Sequence, residues 1–307
     1  MRAHPFLKGR LALRGGTALN LFHFDVPRLS VDIDVNCIGE AARDGMLADK
    51  PKIEEAVVAV CKRDSFTVRR MPSEHAGGKL QLRYQSALGQ GGKLEIDLNF
   101  MLRVPLWPVS PRDSRPVGSH RATQTPLLGY HEMAAGKLAA LLARHASRDL
   151  FDAHLLLATD LDRTQLRVGF VVYGAINRRD WREVSANDVA YDTRELENEL
   201  LPLLRIDEVP GPKALSRWAD QLLKECHERL AQVLPLAENE VEFLERILER
   251  GEVAPDLSPK TRRSRSGSRP TRVCSGRRST CASTRGWNDL YWKRFAVRRR
   301  GLEPLWE

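Results

Sequence analysis

The most constraining stretch of this chain is Ser30-Val-Asp-Ile-Asp-Val35, which alternates strictly between apolar and polar residues. A period of two puts Val31, Ile33 and Val35 on one face of a β-strand and aims the carboxylates of Asp32 and Asp34 together from the other. The residues before it supply a partner. Phe6–Leu13 is short and largely apolar, Gly15-Gly16 interrupts it, and Thr17-Ala-Leu-Asn-Leu-Phe-His23 has the apolar spacing of a short helix with a hydroxyl at its start. Residues 6–35 therefore read as strand, turn, helix, strand, with two carboxylates on the second strand.

The pattern continues in kind. Ile53, Val57, Val58 and Cys61 recur at helical spacing within about 40–62, and three alternating segments follow at Phe66–Met71, Lys79–Gln85 and Lys93–Phe100. A glycine-rich turn between the last two suits a hairpin. In the third segment Glu95, Asp97 and Asn99 share one face, while Leu94, Ile96, Leu98 and Phe100 share the other. The proline-rich stretch 104–127 reads as a surface linker. Helical periodicity then covers about 130–145, 148–159, 166–177, 193–204, 212–235 and 238–250, without a strand. The expected architecture is α+β, with a mixed-sheet lobe at 1–127, an all-helical lobe at 128–257 and a basic low-complexity tail at 258–307.

Composition narrows the class. With 307 residues, 42% hydrophobic and 29% charged, the chain has the make-up of a globular protein and is neither fibrous nor disordered overall. No window has the apolar length of a spanning helix and the N-terminus lacks a secretion signal, so a cytoplasmic location without a membrane partner is expected. Five cysteines without CxxC spacing suggest reduced thiols, not a disulfide framework or a zinc site. The net charge of +9 is unevenly placed. From Ser258 onward 14 Lys/Arg face three acids, which leaves 35 basic and 37 acidic residues, a net of −2, in residues 1–257. The basicity belongs to the tail, whose Arg/Ser/Pro/Gly bias reads either as a disordered basic arm or as a GC-rich gene translated out of frame.

Three features converge on phosphoryl chemistry: Gly15-Gly16-Thr17 at a strand-to-helix turn, Asp32 and Asp34 on the next strand, and a further carboxylate, Asp97 or Glu95, on a later strand. Glycines let backbone N–H groups approach a phosphate, and the helix that follows offers its positive end to the anion. Carboxylates two residues apart on a strand can hold a pair of divalent cations, and a third can complete the shell or take a proton from an attacking hydroxyl. On the helix at 130–145, Lys137 and Arg144 lie on one side, bordering the apolar stripe of Ala134, Leu138, Leu141 and Leu142. Arg148, Asp149 and Asp152 fall in the first turns of the next helix, where carboxylates suit the dipole. His23, His131, His145 and His154 read as packing or surface residues.

The run LALRGGTALNLFHFDVPRLSVDIDVN, the segment LEIDLNF and the stretch YHEMAAGKLAALLARHASRDLFDAHLLL together resemble the AbiEii/AbiGii-type toxin family, a branch of the DNA polymerase β-like nucleotidyltransferases. The resemblance spans residues 6–157 and, less specifically, the helical region to about 256. It implies a nucleotidyltransferase fold with a helical C-terminal lobe, a nucleoside triphosphate substrate, Mg²⁺ or Mn²⁺, and a cognate antitoxin encoded nearby. It also implies roles by position: Gly15, Gly16, Thr17 and Ser30 at the triphosphate, Asp32 and Asp34 as catalytic metal carboxylates, and Lys137 and Asp152, the lysine and aspartate of the helical motif, as catalytic residues, with Lys137 also holding the phosphates. Arg144 is expected at the nucleotide, and Asp97 as the third metal and catalytic carboxylate. The activity implied is transfer of a nucleoside monophosphate to an acceptor such as the 3′ end of a tRNA. A kinase acting on a protein such as the antitoxin, or a non-catalytic GTP-binding toxin, are the alternatives.

Overall fold

The computed structural model describes residues 1–251 except 31, 72–76, 87–88 and 212; Val31 and the tail 258–307 fall outside the described residues. The second half of the alternating stretch opens β2 (Ile33–Cys37), with Asp34 on the strand and Asp32 just ahead of it instead of on it, and the segment before forms β1 (Leu11–Arg14) and α1 (Gly15–Phe22). The long amphipathic helix α2 (Arg43–Arg63) leads into β3 (Thr67–Met71), β4 (Gly77–Gln85) and β5 (Gly91–Asn99). These strands and two short ones, β6 (Ser110–Arg112) and β7 (Thr125–Leu127), make one sheet of order β3-β4-β5-β2-β1-β7-β6 among the described residues. The sheet is mixed: β2 runs parallel to β5, β7 runs parallel to β1, and the other pairs are antiparallel.

Strand periodicity decides which side of the sheet is covered. Leu80 and Leu82 of β4 and Ile96 and Leu98 of β5 are buried, and they share a core with Ile53, Val57 and Val60 of α2. The alternate residues Lys79, Arg83 and Lys93 are exposed on the opposite side. Beyond β7, α3 (Tyr130–Arg144), α4 (Ser147–Leu157) and α5 (Arg163–Ala175) follow in quick succession, and the helices Leu215–Arg229 and Glu238–Arg250 close the described chain. Ala134, Leu138, Leu141 and Leu142 of α3 are fully buried in the same core that contains Leu13, Leu19 and Leu127.

Three expectations need correction. The stretch 104–127 is not only a linker, because it contributes β6 and β7 to the sheet. Pro111 and Pro126 sit opposite one another in that pair; Pro111 is tolerated because β6 is an edge strand, and Pro126 lies outside the single residue pair, Leu13 with Leu127, that joins β7 to β1. The first strand is shorter than Phe6–Leu13, since residues before Leu11 form turns. The helix expected at 193–204 is broken into a helical turn Thr193–Glu195, a π turn Leu196–Leu200 and a 3-10 turn Leu201–Leu203. Pro202 in the last turn has no N–H to continue an α-helix.

Glu132, in the first turn of α3, is buried and fastens the incoming chain to the helix bundle. Its carboxylate accepts from the Leu106 N–H at 2.9 Å and from the Tyr173 hydroxyl at 3.3 Å. Burial outweighs the hydrogen bonds from Leu106, Trp107 and Tyr173 and pushes its pKa up to about 8. The folded protein therefore holds this proton more tightly than the unfolded chain, and stability falls as pH rises from about 4.5 towards about 8. Glu132→Gln, which like the protonated acid is neutral and keeps one acceptor oxygen, is expected to raise stability by about 1–3 kcal/mol at pH 8 and to change it little at pH 4. Urea unfolding at the two pH values measures the difference.

Candidate active site

The acidic side chains come together through sheet register. Asp34 on β2 lies level with Asp97 on β5 and with Arg14 on β1. One step back along the same face, the Asp32 carboxylate accepts the Glu95 backbone N–H at 3.2 Å. Arg14 Nη2 stands 3.9 Å from Asp97 Oδ2, and Lys79 Nζ binds Glu95 Oε2 at 2.6 Å. Both carboxylates proposed for the third position are thus on this face. They differ in occupation: Glu95 is engaged by Lys79, whereas the Asp97 side chain is 48% exposed.

The glycine turn is pressed against these groups. Gly15 has φ of +75°, which favours glycine, and a Cβ there would collide with the Asp34 carboxylate. A Cβ on Gly16 would stand 2.8 Å from Arg28 Nη2 and from Ser30 Oγ. The turn can approach β2 only because both positions lack side chains. Thr17 Oγ1 completes the seam, bonding the Ser30 carbonyl and hydroxyl at 3.1 Å each and the Asp32 carbonyl. Helix α1 has no side-chain cap and no acid in its first turn. Its leading N–H groups lack intrahelical partners and form the positive end of a dipole beside Asp34.

Behind the turn lies a buried chain of charges. Asp152 on α4 has no solvent exposure and receives Arg28 Nε at 2.8 Å and Nη2 at 2.6 Å, Asn20 Nδ2 at 3.2 Å and Lys137 Nζ at 2.9 Å. Lys137 also binds Asp149 Oδ1 at 2.7 Å, and Arg144 Nε binds Asp149 Oδ2 at 2.6 Å. Burial alone would raise the pKa of both aspartates. Lys137 with Arg28 for Asp152, and Lys137 with Arg144 for Asp149, reverse that and hold both below the usual carboxylate range, Asp149 at about 2. Burial likewise pulls the Lys137 pKa down, but Asp152 and Asp149 outweigh it and keep the ammonium charged. Three cations and two anions leave the network at +1. Its outermost member, the Arg144 side chain, is 64% exposed and feels the charge of Asp34.

Oxygen donors of this kind suit a hard divalent cation, and Asp32, Asp34 and Asp97 are the residues that fit one. Among the described residues no three acidic, histidine or cysteine side chains already converge as a ready-made shell. The histidines are occupied elsewhere. His23 stacks on Tyr130, His131 accepts from the Asp162 N–H, His154 bonds Glu225, and His145 ends α3 in the left-handed conformation.

This arrangement agrees with a family model. The model of the "Nucleotidyl transferase AbiEii toxin, Type IV TA system" family matches residues 1–239, the whole glycine turn, acidic face and ion network included. The chain belongs to this family. It is accordingly a nucleotidyltransferase toxin of a toxin–antitoxin system, an activity that implies a nucleoside triphosphate substrate, a divalent metal and an antitoxin partner. Among solved structures, MenT4, a nucleotidyltransferase toxin from Mycobacterium tuberculosis, aligns over 78% of this chain and 82% of its own at 20% identity, with a TM-score of 0.53. That likeness bears on the α+β fold. JHP933 from Helicobacter pylori aligns over 74% of this chain and 88% of its own at 14% identity, with a TM-score of 0.42. No curated protein matches. Among the described residues no helix is long and apolar enough to cross a membrane.

Within this AbiEii-family chain, Gly15, Gly16, Thr17, Ser30, Asp32, Asp34 and Asp97 meet around one turn, with Arg144 facing them. Lys137 and Asp152 lie behind it, and Asp152 has no path to a substrate. Arg148 lies apart, with Nη2 3.8 Å from Glu199 Oε2. The sequence reading did not single out Arg28 or Asn20. Arg28 and Lys137 are the two buried cations of the group, and the only local signal for Arg28 is its place between Pro27 and Leu29 ahead of β2.

Removing Arg28 leaves Asp152 sealed in with one cation. Arg28→Ala is expected to cost about 3–5 kcal/mol in urea unfolding at neutral pH. For Asp149 the folded pKa is depressed, so its contribution of about 2 kcal/mol is present above the unfolded value near 4 and disappears as pH falls through about 2. Thermal melts of Asp149→Asn against the parent should differ at pH 7 and converge towards pH 2.

Proposed function

We propose that the chain joins a nucleoside monophosphate to the 3′ end of an RNA, with tRNA the expected acceptor and Mg²⁺ or Mn²⁺ the metal. The observation that supports this reading best is the register that sets Asp34 opposite Asp97 with the uncapped start of α1 packed on Asp34. Anion-binding N–H groups and metal-type carboxylates then border one small volume, as nucleotidyl transfer requires.

In this mechanism the triphosphate lies against the N-terminus of α1, with Gly15 and Gly16 giving backbone access. Thr17 and Ser30 hold the turn and β2 in fixed relation. Arg144 reaches the phosphates from the end of α3, and Lys137 holds Arg144 indirectly, through their shared partner Asp149. A divalent cation on Asp32, Asp34 and Asp97 would lower the repulsion between the acceptor hydroxyl and the triphosphate. Asp97 takes the proton from the acceptor hydroxyl. The hydroxyl oxygen forms a new bond to the α-phosphorus, the α–β bridging P–O bond breaks, and pyrophosphate leaves. Asp152 acts as a positioning residue: it holds Arg28 against Gly16 and Lys137 beneath Asp149.

The test is incubation with α-labelled and, separately, γ-labelled nucleoside triphosphates and total tRNA. Label should reach the RNA from the α-position alone, and Asp34→Ala should lower transfer by at least about 10²-fold without changing the melting temperature. Label passing from the γ-position to protein would replace this reading with a kinase.

A further inference from the structure

The exposed side of β5, β4 and β3 carries charges that the nucleotide site does not use. Arg83 on β4 and Lys93 on β5 stand directly opposite one another, and both are exposed. Like charges in this position destabilise a sheet. Arg69 on β3 lies on the same face, since Arg69, Gln81 and Glu95 are level across the three strands. No ion pair or side-chain hydrogen bond joins Arg69, Arg83 or Lys93 to another described residue, whereas their neighbour Lys79 is bound to Glu95. The face is continuous with the acidic site: Asp97 and Lys93 are four residues apart on one strand, about 13 Å.

We propose that this open face is a track for the phosphate backbone of the RNA acceptor, with Lys93, Arg83 and Arg69 on successive strands binding phosphates upstream of the reacting 3′ end. The proposal rests on the reading above that the acceptor is RNA. A polyanion relieves the repulsion between Arg83 and Lys93, and the sheet order then leads its end from β3 across β4 and β5 to Asp97. Helix α2 packs on the other side of these strands, and Arg69, Arg83 and Lys93 are all exposed, so the track is open at each of its three cations. An acidic protein surface has the same charge, but it has no reason to lie in line with the hydroxyl-activating carboxylate.

The experiment measures binding of end-labelled total tRNA by fluorescence anisotropy over a salt series, alongside nucleoside triphosphate binding. It compares the parent, Arg83→Glu/Lys93→Glu, and the charge-matched control Arg217→Glu/Lys224→Glu on the helix Leu215–Arg229. The track predicts at least a tenfold loss of RNA affinity for the first pair and a log–log salt slope shallower by about two, with the control and triphosphate binding unchanged. Equal loss in the control pair, an unchanged slope, or a parent protein that binds no RNA would overturn it. So would loss of antitoxin binding with RNA binding retained, which would assign the face to a protein. If the parent binds RNA through this face yet transfers no α-label, the track stands and the transfer reading fails. If transfer to RNA occurs and the Arg83/Lys93 variant matches the parent, the reverse holds.

Discussion

Asp152 is the point on which the site is built. Its carboxylate is sealed from solvent and takes four donors from three parts of the chain: Asn20 in α1, Arg28 in the loop before β2, and Lys137 in α3. A buried charge of this kind is tolerable only while its partners stay in place. The cost of losing any of them fixes the turn, the loop and the two helices against each other. The geometry at the surface follows. Gly16 fits only in the space beside Arg28 and Ser30, and that places Gly15 against Asp34. The groups that meet solvent are held by groups that never do.

Electrostatics across the site are layered. The face of β2 and β5 is negative, with Asp32, Asp34, Glu95 and Asp97, while the network behind α1 carries an excess positive charge that emerges at Arg144. A substrate that brings both phosphate and cation to the boundary satisfies each layer. The sequence of residues 1–257 is close to neutral, and the chain's overall positive charge is carried by residues 258–307.

Much of this was legible from residue order. Alternation at 30–35 and 93–100 indicated strands whose carboxylates share a face, and helical spacing at 130–145 brought Lys137 and Arg144 to one side. What periodicity cannot supply is the pairing of distant segments. Arg28 and Asp152 are 124 residues apart, and neither has a local pattern that marks it as half of a buried pair. β6 and β7 were hidden for a different reason. Each is three residues long and contains a proline, a combination that reads as loop until the neighbouring strand β1 is seen to accept it. Glu95 and Asp97 are equivalent by alternation, and no sequence pattern foretells that Lys79, level with Asp97 across the sheet, pairs with Glu95 instead.

The pairing of Leu13 with Leu127 has one further effect. It brings the chain back alongside β1 just before α3, and only Leu128 and Gly129 separate the last strand from that helix. Leu13 and Leu19 share one core with Leu138 and Leu141, so among the described residues the start of the helical part is packed directly on the sheet. The reach of the exposed Arg144 side chain is therefore set by the same packing that holds β1 and α1.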